Sequence, residues 1–221
     1  METNPRVRSA LMAVLNILSL ILLGLVLQIG GAYLVNAAVN IMGSSDVSAT
    51  ASAALEYSDF MEYIRTIEPR QLTNIIFVAP LFEEIVFRLI FLRAGKMVLP
   101  FWAANIIQAV LFGLYHTLTV QRVYGFVIGL VIGCVFNYCP IIYRNNHNTV
   151  LPDSLFGFLA TFLLHVVINT AGIFVAPLLP ADIAYSYQII IGSVLMAAAF
   201  AGANVLRVIA GKSEAHVEKA V

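Results

Sequence analysis

LTNIIFVAPLFEEIVFRLIFL, residues 72–92, is the stretch on which the fold turns. A single helix needs about 20 mostly apolar residues to cross the hydrocarbon core of a bilayer, and this run is long enough. Yet Glu83, Glu84 and Arg88 stand near its middle. Three ionised side chains at that depth cost about 8–10 kcal/mol on the insertion scale, while the surrounding Leu, Ile, Val and Phe residues return only about 4–8 kcal/mol. Such a helix cannot face lipid alone. Its charged face has to meet other helices or a wet cavity, where intramembrane ionisable groups are usually paired and functional.

Spacing divides the cluster into two parts. Glu84 and Arg88 are i, i+4 with the acid N-terminal, the favourable order for a helical ion pair. They are expected to neutralise each other and to act as support. Glu83 lies about 100° further round the helix, with no partner at the preferred spacing. It is the candidate reactive group, suited to take a proton from water and later return it. Pro80, about one turn earlier, withdraws a backbone hydrogen bond and is expected to open the helix beside the site.

The rest of the chain provides the other helices. Of its 221 residues 61% are hydrophobic and only 11% charged, against about 25% charged in soluble domains, and mean hydropathy is +0.92. A water-soluble fold could not hide that much apolar surface. Six runs have the length of a span: Leu11 to Ala38, Leu72 to Leu92, Val98 to Leu118, Tyr124 to Tyr143, Leu155 to Leu178 and Tyr185 to Val208. The expected fold class is therefore all-α: a polytopic transmembrane helical bundle forming one integral membrane domain over residues 1–221, with the site inside the bundle. The first run is too long for the h-region of a signal peptide, about 7–15 residues, and reads as a retained membrane helix.

Charge placement sets orientation. Arg6, Arg8, Arg93, Lys96, Arg144, Arg207, Lys212 and Lys219 fall on one side of a six-span arrangement, and only Arg65, Arg70 and Arg122 on the other. The positive-inside rule then puts both termini in the cytoplasm. Net charge is zero, which gives no reason to expect a nucleic-acid partner; the bilayer is the expected environment. Cys134 and Cys139 match neither a redox motif nor a zinc pattern and read as packing residues. Between the first two runs, Gly43 to Ala54 reads as linker. Leu55, Phe60, Met61, Ile64 and Ile67 then recur at near-helical spacing, either as an interfacial amphipathic helix or as one packed over the bundle mouth.

Two further runs carry polar stripes. Asn105, Gln108, Phe112 and His116 follow one helical face, and Thr161, His165 and Asn169 recur every four residues on another. Taken singly, each such polar residue reads as interhelical glue; together they read as a cavity wall, with Gln108, Phe112 and Thr161 lining it and a histidine presented from each helix. Gly125, Gly129 and Gly133 form a small-xxx-small ridge, fit for packing within the chain or for dimerisation.

Glu83-Glu84-Ile85-Val86-Phe87-Arg88, Phe112-Gly113-Leu114-Tyr115-His116 and His165-Val166-Val167-Ile168-Asn169 resemble, in order, the E-E-x-x-x-R, F-x-x-x-H and H-x-x-x-N/B motifs of the CAAX protease and bacteriocin-processing family. The resemblance covers about residues 74–172. It implies an intramembrane endopeptidase with Glu83 as general base on water, His116 orienting or polarising that water, and His165 and Asn169 donating to the tetrahedral oxyanion. It implies a peptide or membrane-anchored protein as substrate, and the single span before the first motif leans toward the bacterial members, linked with bacteriocin processing or immunity.

Family members have been described both as glutamate and as metal-dependent proteases. The absence of H-E-x-x-H favours no cofactor, with zinc on Glu83, His116 and His165 as the alternative. Two other classes compete: a non-proteolytic scaffold that binds a membrane-protein partner, and an ion or proton transporter, which the lack of internal repeats disfavours.

Overall fold

In a computed structural model, which describes residues 5–44, 48–146, 152–180 and 182–218, the chain is helical, with no strand among the described residues. Helix α1 runs over Pro5–Gly43, α2 over Ser48–Thr66, α3 over residues 69–95, α4 over Phe101–Tyr115, α5 over Thr119–Asn146, α6 over Asp153–Phe174 and α7 over Tyr185–Glu218. A 3-10 turn, Ala176–Leu178, follows α6. The result is the expected polytopic helical bundle, although its helices are unequal. Four stretches are long and apolar enough to cross a membrane: Ala13–Gly43, Thr119–Ile142, Asp153–Leu178 and Tyr185–Ala210. The other two expected spans take different forms. Helix α4 has 15 residues, or about 22 Å of helix, short of a hydrocarbon core of about 30 Å.

Helix α3 alternates between two windings. Its π-helical turns, Asn74–Val78 and Ile85–Leu92, are separated by the α-helical turn Ala79–Glu84. Pro80 is the local reason. The Ala79 N–H bonds to the Asn74 carbonyl five residues back; the same register would join residue 80 to Ile75, but proline has no N–H to give. The winding loosens where the sequence predicts an opening, and π turns of this kind are frequent at functional sites.

Helix α5 is the centre of the bundle. It packs against α4, α6 and α7, and its Val131, Ile132 and Val135 are wholly buried, with Leu27 of α1, Leu164 of α6 and Ala199 of α7 closing around them. The glycine ridge faces α4: a Cβ on Gly129 would stand 3.1 Å from the Ala109 Cα, and one on Gly133 would overlap Asn105 Oδ1 at 1.9 Å. In this structure the ridge serves packing within the chain. Helix α1 lies along α6 and α7. Outward faces remain apolar, with Leu22, Leu114, Ile190 and Val194 each about 60% exposed, which fits contact with lipid chains and not with water.

Helix α2 packs on α1 and α5, burying Ala53, Ala54 and Ile64. Of the two readings of this amphipathic stretch, packing over the bundle mouth is the one observed. Residues 43–54 are not linker throughout, because the helix already begins at Ser48. Asp46 lies outside the described residues, as does His147 between α5 and α6.

Candidate active site

The ion pair expected from spacing forms. Arg88 Nε stands 3.2 Å from Glu84 Oε2, both side chains wholly buried, and the guanidinium lies 4.5 Å from the centre of the Phe112 ring, where the ring quadrupole attracts a cation. A third helix then enters. His165 Nδ1 is 2.8 Å from Glu84 Oε1. An ionised carboxylate only accepts, so Nδ1 carries the hydrogen and donates it. The other ring nitrogen, Nε2, is turned to Glu83, 3.5 Å from Oε2, longer than an ordinary hydrogen bond. His165 thus stands between the two carboxylates, held from behind by Glu84.

Exposure separates the acids. The Glu83 side chain is 11% exposed and Glu84 not at all, and of the pair only Glu83 borders the cavity. That cavity, about 930 Å³, also takes His116, His165 and Asn169 into its wall. His116 occupies the end of α4, where the chain leaves the helix for an extended conformation. Its Nδ1 lies 2.9 Å from the Phe112 carbonyl; a carbonyl only accepts, so Nδ1 carries a hydrogen, and in the neutral ring Nε2 is the acceptor. Arg122 Nε donates to the His116 carbonyl at 2.9 Å, satisfying the helix end. Gly125 leaves space for the imidazole, since a Cβ there would come 3.1 Å from Nδ1.

Asn169 carries two tasks. Its Nδ2 donates to the Ile75 carbonyl at 2.8 Å, the acceptor that Pro80 cannot serve in the π register. Among the described residues no partner engages its second amide hydrogen or Oδ1, and the side chain borders the cavity. The break in α3 and the asparagine of α6 therefore belong together.

Three expected wall residues lie elsewhere. Gln108 is 1% exposed; its Nε2 donates to Asn105 Oδ1 at 2.7 Å and to the Gly129 carbonyl at 2.9 Å, while Asn105 reaches the Leu130 carbonyl. This half of the α4 stripe is glue against the glycine ridge. Phe112 is buried behind the wall, where its ring packs edge-on against both His116 and His165. Thr161 is buried within hydrogen-bonding reach of Glu84, its hydroxyl donating to the Phe158 carbonyl. None of the three borders the cavity. A helical face is wide enough to meet a neighbour at one turn and a void at the next, and periodicity does not separate the two.

The structure also brings in residues that motif spacing passes over. Gln28 of α1 and Tyr124 of α5 line the cavity, as do Tyr57, Phe60 and Met61 of α2. Burial pushes the Tyr57 phenol above its ordinary value, so it stays a neutral donor. The available signal for Gln28 was a long polar side chain amid the apolar run of α1. For the zinc alternative, no group of three His, Cys, Asp or Glu side chains among the described residues comes together as a metal site. Glu83, His116 and His165 share a wall without converging in that way.

Residues 69–171 match a family model described as type II CAAX prenyl endopeptidase, Rce1-like. The matched stretch contains Glu83, Glu84, Arg88, His116, His165 and Asn169. No curated protein and no solved structure matches the chain.

Proposed function

Through residues 69–171 the chain belongs to the Rce1-like type II CAAX prenyl endopeptidases, a branch of the CAAX protease and bacteriocin-processing family, and on that premise we propose that it is a glutamate-dependent intramembrane endopeptidase. The observation that carries the reading is the buried row Arg88, Glu84, His165, Glu83, in which only the last acid opens on the cavity. Glu83 takes a proton from water as the water oxygen attacks the peptide carbonyl carbon. His116 holds that water by accepting a hydrogen bond at Nε2. As the C–N bond breaks, Glu83 returns the proton to the leaving amine. His165, when its Nε2 is protonated, and the free Nδ2 hydrogen of Asn169 donate to the oxyanion, a type of stabilisation worth about 3–4 kcal/mol per donor. Glu84 and Arg88 fix the ring and neutralise each other.

The substrate belonging to this reading is a peptide or membrane-anchored protein, with bacteriocin-type processing in a bacterial membrane as its narrower form. With both termini cytoplasmic, the cavity would open at the opposite end, because its walls come from the end of α1, the start of α3, the start of α5 and the end of α6. Cleavage of a fluorogenic peptide library by purified protein tests the reaction. Glu83→Gln should lower turnover by about 10²–10⁴-fold, the usual contribution of a general base, and a zinc chelator should leave wild-type turnover unchanged. Undiminished turnover by folded Glu83→Gln would sink the glutamate reading. Loss on chelation with recovery on added zinc would replace it with the metal-dependent one. A protein that binds a membrane partner equally well with and without Glu83, and cleaves nothing, would be the scaffold.

A further inference from the structure

One polar pair in the cavity wall has no task in the chemistry above. Gln28, on α1 and outside the family-matched stretch, is 9% exposed and borders the cavity. Tyr124 of α5 donates its hydroxyl to Gln28 Oε1. That bond fixes which way the amide faces, since Oε1 is held toward α5 and Nε2 is left as the free end. Among the described residues no acceptor engages Nε2, although a buried amide normally finds one.

The pair has been given room. A Cβ on Gly31 would stand 1.9 Å from Tyr124 Cε2, inside the ring, and a Cβ on Gly172 would come 3.0 Å from Gln28 Nε2. Two glycines on different helices therefore admit the tyrosine and the amide, and the free N–H groups sit over α6 at Gly172. That position is seven residues past His165, two turns or about 10 Å along the helix. An extended peptide rises about 3.3 Å per residue, so a chain lying along α6 from the reacting carbonyl reaches Gln28 after about three residues.

We infer that Gln28 is a substrate-binding residue, its amide N–H groups donating to a main-chain carbonyl of the peptide about three residues from the scissile bond, with Tyr124 as the residue that positions it. The assignment rests on the proteolytic reading of the site. Because the bond is made to ground and transition states alike, its loss raises KM and leaves kcat in place. Because a main-chain carbonyl is common to all peptides, the subsite grips length and not sequence.

The test uses a fluorogenic peptide that the full-length wild type cleaves, and versions shortened by three residues at either end. Gln28→Met keeps the side-chain volume without the donors and should raise KM for the full peptide about 3- to 10-fold, the worth of one neutral hydrogen bond. One of the shortened peptides should show no difference between wild type and variant. Tyr124→Phe should raise KM less and add nothing in the Gln28→Met background. Binding of the same peptides to Glu83→Gln, read as Kd by fluorescence anisotropy, should show the same contrast. An unchanged KM for Gln28→Met, a fall confined to kcat, or an equal rise for all peptide lengths overturns the inference. Turnover by Glu83→Gln at the wild-type rate would overturn the glutamate mechanism instead, while the Kd contrast still judges Gln28. Should Gln28→Met melt early, Tyr124→Phe, which loses one hydroxyl, carries the comparison.

Discussion

Replacing Glu84 by glutamine should cost much more stability than the same replacement at Glu83, one residue away. Arg88 is wholly buried, and Glu84 is its ion-pair partner within 4 Å; its Nη1 and Nη2 find no hydrogen-bond acceptor among the described residues. Glu84→Gln leaves the guanidinium with the Phe112 ring face and the weaker, unbonded attraction of Glu83. Removing one partner of a buried pair costs about 3–5 kcal/mol, and at about 2–4 °C per kcal/mol for a chain of this size the melting point should fall by about 6–20 °C. Glu83 borders the cavity and stands 3.5 Å from its nearest partner, so an amide of the same shape should cost under about 1 kcal/mol, or less than about 4 °C.

The assay is internal to the protein. Cys134, buried, and Cys139, half-buried, are its two cysteines, so a thiol-reactive fluorogenic maleimide reports unfolding in detergent as temperature rises. Glu84→Gln combined with Arg88→Met should recover most of the loss, because no unpaired charge then remains. Equal melting of the two single variants, or a fall of less than about 2 °C for Glu84→Gln, would refute the division of labour between the acids.

Other perturbations reach separate parts of the fold. Gly133→Ala, whose Cβ would overlap Asn105 Oδ1, should lower the melting point and the yield of folded protein, whereas Gly202→Ala, with nothing within 4 Å, should match or exceed wild type by about the 1 kcal/mol difference in helix propensity. Asn169→Ala should destabilise by about 1 kcal/mol, the low end of the cost of an unsatisfied carbonyl, because the Ile75 carbonyl is only part-buried. Adding Pro80→Ala should restore part of that stability by supplying an N–H near Ile75, without restoring turnover; a thermal-melt double-mutant cycle with no coupling would contradict the shared task of Pro80 and Asn169. For orientation, Tyr63→Cys on α2 should react with a membrane-impermeant maleimide on intact cells and Met97→Cys, before α4, only after permeabilisation; both sites are well exposed, and the reverse pattern would overturn cytoplasmic termini.

The sequence by itself determined that the chain is an apolar helical bundle, because hydropathy runs and the scarcity of charge leave few other ways to satisfy the backbone. It also determined that Glu84 pairs with Arg88, because four residues of helix bring two side chains to one face whatever surrounds them. The types of group fit for hydrolysis were legible for the same local reason. Which neighbour each face meets was not. Asn105 and Gln108 share a stripe with His116, yet they meet the glycine ridge of α5 while His116 meets the cavity. His165 reaches Glu84 across 81 residues of sequence, and Gln28 enters the wall from a helix without a motif. Periodicity fixes an angle around one helix axis; only the mutual rotation and register of several helices, set by where glycines let backbones close together, decides which angles face a partner and which face the void.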